Sequence, residues 1–290
     1  MIKIIDTYSQ MQDVFEDGKF CFPKWEAYVN RIYPGLSHLF IDDVRKYIVS
    51  GRYTFEKDFL PVLNAVYHAP LLGKLHDSFL RATENLNERI RSSFGRELDA
   101  DIVLYLGLCN AAGWVTEIGG RDTVLLGVEK ILELGWVEPE SMYGLIYHEL
   151  GHIYHAQYGV LHRESEDARK NFIWQLFTEG IAMYFEQICV GDPGFYHQDV
   201  NGWKEWCARN FNQILKDFDE DISDTGRFEQ RYFGDQCDYH GFGDVGYYLG
   251  TMFVRYLAEG YELDEMIKFD MDDVDSLYRQ YLSRAAALDG

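Results

Sequence analysis

Residues 148–152, His148-Glu149-Leu150-Gly151-His152, constrain this chain more than any other stretch. Two histidines four apart share one face of an α-helix, with Cβ atoms about 5–6 Å apart. Imidazoles placed in this way can reach one metal ion at N–metal distances of about 2.0–2.1 Å. The glutamate beside the first histidine points to the same side without being needed as a ligand, which leaves it able to take a proton there. The flanks fit a helix with a buried side. Glu138-Pro139-Glu140-Ser141 offers a start whose acidic residues suit the positive end of the helix dipole. Met142, Leu145, Ile146, Leu150, Ile153 and Tyr154 recur at helical spacing, and Gly159 offers a stop.

A second helix is expected from about Glu164 to Ile188. Phe172, Ile173, Trp174, Leu176, Phe177, Ile181, Ala182, Met183, Tyr184 and Phe185 surround Thr178-Glu179-Gly180, so this helix is apolar nearly all round and reads as buried. A carboxylate in that setting is costly unless it is paired or binds a metal. Gly180 costs helix propensity there and points to the close approach of another backbone.

Composition narrows the partners. Hydrophobic residues make up 47% of the 290, enough for a globular core. A formal net charge of −21 argues against nucleic acid or an anionic membrane surface as partner. No apolar run approaches the roughly 20 residues of a membrane span, and the opening residues show no apolar signal region. The five cysteines are odd in number and scattered, with no CxxC pair, so neither a disulfide framework nor a thiolate metal site is expected. A cytoplasmic location is the simplest expectation.

Along the chain, residues 1–95 read as a mainly helical N-terminal part with no chemical constellation. From Asp101 the texture changes. Ile102–Leu106 and Asp122–Gly127 read as strands, the second reached through a Gly119-Gly120 hairpin-like turn. Such a small sheet offers an edge to which an extended peptide can add, and the backbone around Gly113 and Trp114 is one candidate for that contact; an ordinary structural hairpin is the other reading. Helices are expected near Trp203–Phe218, from Gly246 to about Glu259, and in the tail. The spacing of His197 and His240 assigns them no role. The expected fold is α+β and predominantly α: an N-terminal helical part (1–95), then a unit (96–290) with a small β-sheet and a helical lobe.

Three segments, in this order, resemble the gluzincin zinc metallopeptidases, the group of thermolysin and the M1-type aminopeptidases. His148-Glu149-Leu150-Gly151-His152 matches HExxH. Glu179-Gly180-Ile181-Ala182-Met183-Tyr184-Phe185-Glu186 is similar to the EGxAxYxE segment whose first Glu is the third zinc ligand. Tyr247-Tyr248-Leu249-Gly250 is similar to the YxxG segment whose first Tyr stabilises the oxyanion. The chain also resembles bacterial predicted zinc-dependent proteases. It departs from the gluzincin pattern in three places. Twenty-six residues, 153–178, separate His152 from Glu179, more than in thermolysin or the M1 enzymes. Met183 stands where thermolysin-like enzymes carry an Asp that orients the first His. No GxMEN segment for gripping a free amino terminus is visible. A metzincin pattern is excluded, because His155 and Tyr158 stand where that family needs Gly and His.

The resemblance implies a zincin-like catalytic domain holding Zn²⁺ through His148, His152 and Glu179, acting on a peptide or protein substrate. It implies Glu149 as general base and Tyr247, with Tyr248 as the fallback, as oxyanion donor. Simple aromatic packing is the other reading of Tyr247. The alternative function is a non-catalytic zinc-binding protein that keeps the peptidase fold for peptide binding or regulation.

Overall fold

The computed structural model describes residues 1–51, 53–223, 231–234 and 237–288. It is mostly helical with a small mixed sheet, and the chain divides into two units, Met1–Ile146 and Tyr147–Gly290. The first holds β1 (Lys3–Asp6), a 3-10 turn (Tyr8–Val14), the short hairpin β2 (Phe15–Glu16) and β3 (Lys19–Phe20), and helices α1 (Phe22–Ile32) and α2 (Ser37–Val49). A π-helical turn (Phe55–Phe59), α3 (Leu60–Tyr67), α4 (Leu72–Thr83), α5 (Leu86–Phe94), β4 (Ala100–Tyr105), β5 (Gly113–Ile118), β6 (Arg121–Gly127) and α6 (Val128–Leu134) follow. The division falls inside α7 (Pro139–Tyr158).

The sheet runs in the order β1-β4-β6-β5, with β1, β4 and β6 parallel and β5 antiparallel at one edge. Ile102, Val103 and Leu104 of β4 and Val124, Leu125 and Leu126 of β6 are all buried. Unbroken apolar runs of this kind belong to central strands covered on both faces. Ile118 pairs with Arg121, so Gly119 and Gly120 form a two-residue hairpin loop. Their φ angles of +60° and +78° are what such a loop demands and what glycine supplies without strain.

The expected separation of residues 1–95 from the rest is corrected here. The opening stretch Lys3–Asp6 is a strand, paired in parallel with β4 from Lys3–Asp101 to Asp6–Leu104. Polar side chains then fasten the first helices to the same strand end. The Thr7 hydroxyl donates to Leu104 O at 2.7 Å, Trp25 Nε1 donates to Leu106 O at 3.0 Å, and Leu106 N donates to the Tyr28 hydroxyl at 3.0 Å. Asn87 both accepts from Ile2 N and donates to Ile2 O. The Thr7, Trp25 and Tyr28 bonds are buried, so each also removes the cost of leaving its partner unpaired. The N-terminal helices and the sheet are therefore one unit.

The second unit continues α7 and adds α8 (Ala168–Val190), α9 (Trp203–Arg209), α10 (Phe211–Ser223), α11 (Val245–Leu257), α12 (Leu263–Met266) and α13 (Met271–Leu288). The single helix expected near Trp203–Phe218 is two, broken at Asn210. The stretch between α10 and α11 lies partly outside the described residues. No helix among the described residues is long and apolar enough to cross a membrane.

Candidate metal centre

Helices α7 and α8 place the central side chains, and small residues set how closely they lie. α7 buries Met142, Leu145, Ile146, Leu150, Ile153 and Tyr154, the side expected from spacing. Asp167 caps α8 by accepting from Arg169 N at 2.9 Å, and Gly191 closes it in the left-handed region with φ +78°. Gly151 of α7 faces Ala182 of α8 so closely that a Cβ on Gly151 would lie 2.8 Å from Ala182 Cα. Two residues before Ala182, on the other side of α8, a Cβ on Gly180 would lie 2.3 Å from Gly250 O of α11. Close approach at Gly180 thus has a partner: α8 and α11 cross backbone to backbone beside Glu179.

The α7–α8 approach brings His148, His152 and Glu179 together. Glu179 Oε2 lies 3.2 Å from His148 Nε2 and 3.2 Å from His152 Nε2, and the two Nε2 atoms are 3.2 Å apart. Three ligand atoms thus form an equilateral triangle. A tetrahedral zinc ion with bonds of about 2.0–2.1 Å has edges of about 3.3–3.4 Å. Glu179 Oε2 is sealed from solvent, yet no N–H is aligned to donate to it. A proton can bridge only one pair of the three atoms at a time, whereas one cation at their centre satisfies all of them. His148, His152 and Glu179 therefore fit a metal ion, and two imidazoles with one carboxylate is a donor set of catalytic zinc sites.

The electrostatics agree with an ionised carboxylate facing imidazoles. Burial favours neutral Glu179, but His152 and His148 outweigh it and hold the group well below the usual carboxylate range. Burial likewise disfavours charged His152, yet Glu179 carries it above the ordinary histidine value. Glu149 is 5% exposed. Burial lifts it above the ordinary carboxylate range, against the opposing pull of His148 and His152.

Behind His148 lies a partner that sequence reasoning left unassigned. Glu186 is fully buried, with Oε2 3.8 Å from His148 Nδ1, an atom that otherwise has no hydrogen-bond partner. His197 holds this carboxylate from the other side. Its backbone N donates to Oε1 at 3.1 Å and its Nδ1 lies 2.8 Å from Oε2. Burial drives Glu186 well above the carboxylate range and His197 down to about 3, so this pair avoids two isolated charges. Glu186 thus stands where the orienting partner of the first histidine belongs, and Met183, although buried, has no part in it. The signal was present: Glu186 follows Glu179 by seven residues, two helical turns on the same face. His197 carried none, because it sits in an irregular segment without periodicity.

The remaining candidates separate cleanly. The Tyr247 ring packs edge-on against His148 with centroids 5.4 Å apart, and also against Phe233. Tyr248 instead stacks on Tyr196 and meets Trp203 and Phe211. Of the two tyrosines, only Tyr247 has a described ring contact with a histidine of the centre. Gly113 and Trp114 lie on β5 in the other unit, where Trp114 Nε1 donates to the Tyr105 hydroxyl at 3.1 Å. His155 faces away from the centre, against Trp174 and Phe177. Comparison of the chain with protein-family models, curated proteins and solved structures finds no match.

Proposed function

We propose that this chain is a zinc-dependent metallopeptidase of the gluzincin kind, with a zincin-like fold. The observation that carries the reading is the 3.2 Å triangle of His148, His152 and Glu179 with buried Glu149 beside it. When bound, zinc supplies a Lewis acid and lowers the pKa of water. The chain's own residues supply the rest. Glu149 accepts the proton released as water attacks the scissile carbonyl, then returns it to the leaving amine. Its low exposure keeps bulk water from competing for that proton. Glu186 holds the His148 ring by its Nδ1 side and fixes the direction of Nε2. Tyr247 is the donor to the oxyanion that develops on the carbonyl. Gly113 and Trp114, on the antiparallel edge strand β5, present main-chain groups to an extended peptide.

The test begins with zinc per chain, by elemental mass spectrometry, in protein purified without added metal. About one zinc is expected in the wild type and in Glu149→Gln, and a clear loss in Glu179→Ala. A peptide library should then be cleaved by the wild type, with turnover lower by at least about a hundredfold in Glu149→Gln. No zinc uptake by the wild type would sink the metal reading. Zinc without cleavage would leave the non-catalytic zinc-binding alternative.

A further inference from the structure

A second binding feature lies in the same unit, at α10, α11 and α13. A cavity of about 270 Å³ is lined by Phe211, Met252, Arg255, Tyr256, Tyr281 and Arg284, among others. Its two arginines differ in their electrostatic state. Arg284 forms a two-pronged ion pair with Glu259, at 2.6 and 3.1 Å. Arg255 has no carboxylate partner among the described residues. Its Nη2 donates to the neutral amide oxygen of Gln187 at 2.8 Å, and no described acceptor meets Nε or Nη1.

An uncompensated guanidinium is unexpected in a chain of net charge −21, and more so against apolar walls. Partly buried charges are ordinarily paired, because low local polarity raises the cost of an isolated one. Gln187 cannot supply the missing charge. Its own amide nitrogen is committed to Phe195 O at 2.8 Å, which fixes the oxygen toward Arg255 and holds the guanidinium in place. A guanidinium so held leaves Nη1, which no described acceptor meets, to donate charged hydrogen bonds to a carboxylate. Met252, Tyr256 and Phe211 supply apolar surface for whatever carries that carboxylate.

We infer that this cavity binds a small monocarboxylic acid with an apolar body, its carboxylate on Arg255 and its aliphatic or aromatic part against Met252, Tyr256 and Phe211. The site is separate from the metal centre, since none of its lining residues belongs to that centre.

The test is titration calorimetry of the full chain with 3-phenylpropionate, its amide and acetate, with and without EDTA. Saturable binding of 3-phenylpropionate is expected, unchanged by EDTA. The amide should bind at least about tenfold more weakly, since it lacks the charge that strengthens the hydrogen bonds to Arg255. Acetate should also bind at least about tenfold more weakly, since it lacks the apolar body. Arg255→Met, which keeps the apolar stem, should lose about tenfold or more in affinity for the acid. If Arg255→Met does not fold, Ala285→Trp, which fills the cavity from its rim, must abolish binding instead. Acid and amide binding alike, acid binding that EDTA removes, or acid binding undiminished in the variants would each overturn the proposal. So would no saturable binding of the acid by about 10 mM, the level of a very weak interaction.

Discussion

Two carboxylates with oxygens sealed from solvent, one in each unit, show what separates a structural group from a candidate metal ligand. Glu129 opens α6 and is 1% exposed. Its Oε2 accepts from Gly107 N and its Oε1 from Cys109 N, both at 2.9 Å. Backbone amides answer it completely, and burial raises it above the carboxylate range. Glu179 is also held between packed elements, but its sealed oxygen accepts no aligned hydrogen bond and faces two imidazole nitrogens instead. A sealed oxygen is common to both; the partners differ. A carboxylate whose needs the chain meets is part of the scaffold. One left facing other electron-pair donors is a place for a cation.

The comparison is broken most severely by removing the satisfied group. Glu129→Ala strands two buried backbone N–H groups, each costing about 1–3 kcal/mol. We expect a loss of about 2–6 kcal/mol of stability by denaturant unfolding, with zinc per folded chain unchanged. A zinc loss in the folded variant would blur the distinction. Glu186→Gln sharpens it from the other side. It keeps the volume but puts an amide in place of the carboxyl that faces His148 Nδ1, so zinc affinity by chelator competition should fall about 10- to 100-fold with little change in the unfolding midpoint. The smallest effect concerns His155, a buried titratable group with no aligned hydrogen bond to either ring nitrogen. Burial lowers it to about 3, so the folded state holds it neutral while the unfolded chain protonates near pH 6.5. Its contribution is present in full above about pH 6.5 and lost as pH falls toward 3, about 2 kcal/mol between pH 7 and pH 5. His155→Leu should flatten that part of the stability–pH curve, and an unchanged slope would show that His155 is not its source.

What the sequence made legible follows from periodicity and from residue chemistry at short range. The buried side of α7, the apolar surround of Glu179 and the signal of Gly180 in α8 are each local to a single helix, where spacing of three and four residues carries the information. The turn at Gly119-Gly120 was legible because two glycines there permit few other loops. Contacts between distant segments were not. Lys3–Asp6 is four residues long, with too little alternation to announce a strand, and its partner lies almost a hundred residues on. His197 reaches Glu186 through an irregular segment after Gly191, which no repeat describes. Glu186 itself stands within the segment that resembles the gluzincins, but its partner could not be named until α7 and α8 were set side by side.

The glycine crossings have a consequence for how such chains can change length. The gap between α7 and α8 is set where Gly151 meets Ala182, and that between α8 and α11 where Gly180 meets Gly250. Neither gap depends on how much chain joins the helices. The connection from Gly159 to Asp167 can be lengthened or shortened without moving His152 relative to Glu179, provided the crossings keep their small residues. Counting residues between the halves of a motif therefore measures the loop, whereas the ruler for the centre is a pair of missing side chains.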